Sequence, residues 1–155
     1  MDAILAALEQ SALAAHLRSA RWEYASVNAA HILGIALLVG CTLPLDLKLL
    51  GLWPSVDRKM LSRVLVPVAA FGLLLAVITG MMLFSVRAQE YATLSVLRLK
   101  LSIIAFGFIM VIATHLRYGI WLDREPNVSL AHVGAMSLLA WISTLFCGRL
   151  IAFVV

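Results

Sequence analysis

Four long apolar stretches set the pattern of the chain: about Val27 to Leu45, Val64 to Val86, Leu101 to Trp121 and Val128 to Val154, each bounded by charge. Each is about 20 residues or longer, which at 1.5 Å per residue crosses a hydrocarbon core of about 30 Å. Lipid offers the backbone no hydrogen-bond partners, so such runs predict helices, whereas the strands of a barrel would alternate apolar and polar residues. The expected fold is all-α: an integral membrane four-helix bundle, up-down-up-down, forming a single transmembrane domain over residues 1–155. The connecting segments leave no room for a soluble catalytic domain.

Ahead of the first span, Ile4, Leu5, Leu8, Ala12, Ala15 and Leu17 recur at helical spacing. Asp2, Glu9, Gln10, His16 and Arg18 fall mostly elsewhere on the wheel. This predicts an N-terminal amphipathic helix over 2–20 lying in the interface plane, with Trp22 and Tyr24 at the headgroup level. Residues 1–26 lack the basic start, apolar core and small-residue site of a cleavable signal, so the segment is expected to stay on the protein.

Composition strengthens the membrane reading. A chain 63% hydrophobic and 13% charged would cover a water-soluble surface with aggregating patches. Membrane lipid is therefore the first expected partner, and a net charge of +4 fits adhesion to anionic headgroups rather than nucleic acid. An even number of spans puts both termini on one side. Charge does not orient the protein, because Arg18, Arg21, Arg87, Arg98, Lys100 and Arg149 on the terminus side balance Lys48, Arg58, Lys59, Arg63, Arg117 and Arg124 on the other.

Small residues four apart (Ala30 and Gly34, Ala36 and Gly40, Ala76 and Gly80, Ala131 and Ala135) predict close helix contacts. Function is sought among ionisable groups at membrane depth, each of which costs about 2.5 to 3.5 kcal/mol at a span centre. His31 shares a stripe with Asn28, Leu38 and Thr42, His115 one with Lys100, Phe108, Val111 and Tyr118, and His132 one with Leu139, Ser143 and Leu150. All three are expected to point inward. Inward imidazoles in a four-helix membrane bundle suit the axial positions of haem b, with cations such as Lys100 and Arg98 near the propionates. Depth decides which can pair: His31 and His115 sit on the order of 13 Å apart along the normal, so they should not share an iron, while His115 and His132 match. His31 could meet His16 only if the amphipathic helix folds over the mouth of the bundle. Cys41, near the depth of His115 and His132, opens a copper or zinc alternative built on one thiolate and two imidazoles, with His31 a further possible metal ligand. No nucleophile triad, phosphate loop or paired-carboxylate site is present.

The run His31-Ile-Leu-Gly34 continuing to Gly40, then Leu45-Asp46-Leu47-Lys48-Leu49-Leu50-Gly51, with Thr79-Gly80 and Leu97-Arg98-Leu99-Lys100-Leu101, resembles a group of uncharacterised bacterial four-span inner-membrane proteins over residues 24 to 118. The resemblance implies a bacterial inner-membrane location and adds little on activity. In span number and inward histidines the chain is also similar to four-helix b-type cytochromes and membrane copper-resistance proteins. The expectation is a haem-binding electron carrier whose partner is a quinone or a redox protein, and a homo-oligomer is compatible with it. The alternative is a cofactor-free membrane subunit or small transporter in which His31, Asp46 and Lys100 line a polar path.

Overall fold

The computed structural model describes residues 2–125 and 128–154. Met1 and Val155, the ends of the expected single domain, lie outside them. Seven helices follow in order among the described residues, without a strand: α1 (Asp2–Glu9), α2 (Ala12–Ser19), α3 (Arg21–Leu49), α4 (Arg58–Val86), α5 (Ala88–Thr93), α6 (Ser95–Tyr118) and α7 (Ala131–Val154). Helices α3, α4, α6 and α7 are long and apolar enough to cross a membrane, which makes this a multi-pass membrane protein in contact with lipid.

The amphipathic segment is two helices rather than the one expected over 2–20. Ser11 breaks it, its hydroxyl accepting from Ala14 N at 3.3 Å as the N-cap of α2. Helix α4 starts at Arg58 rather than Val64, because Asp57 caps it through Met60 N at 2.7 Å. Helix α6 stops at Tyr118, short of Trp121, where Gly119 turns to φ +85°. Ala14 and Leu17 are buried against the neighbouring helices, and Arg18 donates to the Val86 carbonyl at the end of α4.

The four spans close three sides of a square. Helices α3 and α4 run antiparallel, with Gly34 opposite Ala76 and Gly72 opposite Leu38; a Cβ on Gly34 would sit 2.7 Å from Ala76 N and 2.8 Å from Gly72 O. Backbone touches backbone here, which only glycine permits. Helix α7 packs on α3 where Gly134 meets the Asp46 carbonyl, and on α6 where Gly107 meets the Trp141 ring. On the fourth side, no described residue of α4 lies within 8 Å of α6, Cα to Cα. Sequence-adjacent spans are thus separated there.

At one end Leu45, Leu49, Tyr118, Leu122, Leu130 and Val133 form an apolar plug, with Leu61, Leu65 and Val66 of α4 packed on it. The chain above is strapped to α4: Arg58 donates to Glu125 O at 2.7 Å and Val128 O at 3.1 Å, and Lys59 pairs with Asp123 at 2.7 Å. The hydrogen bond from Lys59 holds the Asp123 carboxyl below its usual range. This end carries both long connections, and the opposite end carries α1, α2, α5 and the end of α7.

Candidate functional site

The interior of the square is polar at two levels. Toward the α1–α2 end, His31 of α3 lies against Gly80, its Cε1 3.0 Å from where a Cβ would be, so the glycine makes room for the ring. The Thr79 hydroxyl donates to Leu75 O at 2.6 Å and therefore accepts from His31 Nδ1, at 3.1 Å. That network assigns the Nδ1–H tautomer and leaves the lone pair of Nε2 with no hydrogen-bond partner among the described residues. Lys100 of α6 is the cation acting on this ring. Its Nζ lies 3.2 Å from the Cβ position of Gly148 and near Cys147, both on α7, so all four spans contribute to this level. No carboxylate lies within 4.0 Å of Lys100 among the described residues: Glu23 pairs with His16 and Glu90 with Arg87.

Toward the plug, Asp46 of α3 is 4% exposed; Ser137 of α7 lies beside it, and its Oδ2 is buried with no partner. His115, three residues before the end of α6, has its Nδ1 buried and unpaired. Between the levels, Trp141 Nε1 and Thr144 Oγ1 of α7 are likewise buried without partners. Gly134, Ser137, Trp141, Thr144 and Gly148 are spaced three and four apart, within about 80° on the wheel at 3.6 residues per turn, and form one seam down α7. Asp46 flanks its upper end and Lys100 its lower. Ser137 and Gly148 are about 16 Å apart along the axis at 1.5 Å per residue.

The sequence-predicted residues divide accordingly. His31 and Lys100 are brought together. His115 and His132 are not. His132 is exposed and shares its face with Met136, Leu139 and Ser143, which line an outer groove with Ile103 and Phe106 of α6. His115 lies about 120–180° round α6 from Ile103 and Phe106, on the inner side. Matched depth therefore does not make them a pair, and the expectation that His132 points inward is corrected. His16 is exposed and bonded to Glu23, while His31 is bonded to Thr79, so the two histidines have separate partners. Arg98 is exposed and reaches Ser95. Cys41 is half-buried and Cys147 buried, both as free thiols, and no group of three His, Cys, Asp or Glu able to hold a metal occurs among the described residues. Sequence reasoning missed Ser137, Trp141 and Thr144. Their three-four spacing was a signal, masked because Ser, Thr and Trp are ordinary residues in an apolar helix. No family model, curated protein or solved structure matches the chain.

Proposed function

We propose that the protein is a small membrane transporter, or the membrane subunit of one, whose four spans line a hydrated polar path for an ionic solute. The observation that carries this is the set of four buried side-chain polar atoms without partners among the described residues, Asp46 Oδ2, His115 Nδ1, Trp141 Nε1 and Thr144 Oγ1. Left dry at about 1–3 kcal/mol each, they would together cost a sum of the order of a domain's whole stability. Water in the seam satisfies them, and ordered water along a polar seam is what an ion path requires. Lys100 and Asp46, ionisable groups at opposite ends of the seam, fit the rule that such residues at membrane depth mark pathways.

The test is the full chain reconstituted in vesicles, with ion movement followed under an imposed potential. Flux above protein-free vesicles that drops in Lys100→Met but not in the lipid-facing Leu139→Ala supports the path. Vesicles as tight to protons, alkali cations and small anions as empty ones would end it.

One observation favours a second reading, haem b and electron transfer to or from a quinone or a redox protein. A histidine that ligates iron commonly donates its other ring N–H to a fixed acceptor, which is the arrangement of His31 Nδ1 on Thr79. A purified sample whose absorption spectrum shows no haem band, oxidised or reduced, removes this reading.

A further inference from the structure

We infer that Asp46 is a proton-binding site and that the solute of the path is the proton; the second half rests on the transport reading above, the first does not. Asp46 is almost wholly buried, its backbone carbonyl pressed against Gly134 and its Oδ2 buried without a partner among the described residues. No cation lies within 4.0 Å of it among the described residues. Helix α7 presents Ser137 to it, and α6 carries His115, which like Asp46 lies three residues before the end of its helix. Of the cations at that end, Lys48 bonds Trp53 O, Arg58 bonds Glu125 O and Val128 O, Lys59 pairs with Asp123, Arg124 bonds Leu116 O, Arg117 lies over the Tyr118 ring and Arg63 is exposed.

A carboxylate in such a place needs a counter-ion. A metal cation would want several oxygen ligands, and only Ser137 is at hand. A proton needs one lone pair. Lys100, about 16 Å away along the seam, raises the barrier to every cation, hydronium included, so the selection rests on Asp46, which with Ser137 offers a metal ion too few oxygens and a proton the one lone pair it needs. Hydronium in the seam passes H⁺ to Asp46 Oδ2; an O–H bond forms there, one breaks on the donor, and neutral water remains. The apolar plug lies on the side of Asp46 away from the seam, so the proton reaches the carboxylate from the seam.

A hydrophobic carbodiimide tests this on the full chain in vesicles, because it converts a protonated carboxyl in apolar surroundings to a stable N-acylurea that peptide mass mapping locates. The expected result is an adduct on Asp46 with dicyclohexylcarbodiimide and none with a water-soluble carbodiimide. The adduct disappears in Asp46→Asn and persists in Asp46→Glu, and proton flux is lost in both the labelled protein and Asp46→Asn. An unlabelled Asp46 in protein of native helical content, or equal labelling by the water-soluble reagent, overturns the site. Labelling without proton flux in untreated protein keeps the site and rejects the path. Flux that survives Asp46→Asn keeps the path and overturns the assignment of Asp46 to it.

Discussion

Small residues that look alike in the sequence do different work, and the distances say which. Gly34 faces backbone atoms of α4 at 2.7–2.8 Å from its Cβ position, whereas Gly40 has nothing within 4 Å. Gly34→Ala is therefore expected to destabilise by about 1–3 kcal/mol, the usual cost of overpacking, because neither helix backbone can yield. Gly40→Ala should be neutral or slightly stabilising, since alanine is the better helix former. Unfolding in a mild-to-harsh detergent series measures both; equal effects would mean that α3 and α4 do not cross as described. Of the pairs read from the sequence, Ala30–Gly34 and Ala76–Gly80 sit at this crossing and Ala36–Gly40 faces outward. Gly72 was missed, although Gly72, Ala76 and Gly80 repeat every fourth residue. Thr79→Val belongs to the same scale: it removes the acceptor that fixes the His31 tautomer, at an expected cost of about 1 kcal/mol. A change in the His31 ring proton resonances reports it, and an unchanged resonance would mean that another acceptor holds the ring.

Among the elements, the spans were legible because a hydrocarbon core imposes length and apolarity, which survive in any window of about 20 residues. Their ends were not, because caps such as Asp57 and Ser11 are single residues indistinguishable from other polar residues until the backbone is known. The short helix α5 and the break between α1 and α2 escaped for the same reason. The strap from α4 to the α6–α7 connection gives a pH prediction. Lys59 keeps the Asp123 carboxyl below its ordinary range, so the contribution of the pair is present above the unfolded value of about 4 and is lost as pH falls through the lower folded value. Protection from amide exchange over residues 119–125, taken relative to the intrinsic rate at each pH, should fall on acidification, and Lys59→Met should remove that dependence at acid pH. Exchange in Lys59→Met that still follows acid as in the parent protein would place the strap elsewhere, for instance on Arg58 alone.

For the whole molecule, an even number of antiparallel spans puts the α1–α2 segment and the end of α7 at one end of the bundle. Reporters active on only one side of the membrane, fused to each terminus in turn, should give the same signal; opposite signals would mean that one of the four helices does not cross. The inward histidines were legible as residues at membrane depth, but their pairing was not. Which side of α6 or α7 becomes the inside depends on where α3 packs, and that is set by the contact of Gly134 with Asp46, which no single-helix pattern reveals.

Hydration of the seam is the claim on which the rest depends, and thiol accessibility along α7 tests it most directly. In a background with Cys41 and Cys147 replaced by alanine, single cysteines are placed at Ser137 and Thr144 on the seam and at Leu139 and Phe146 on the exposed outer face, which are 67% and 63% accessible. A small charged thiol reagent reacts only where water reaches. A hydrated path predicts modification at positions 137 and 144 and protection by lipid at 139 and 146; protection at all four, in protein that retains its helical content, would contradict it.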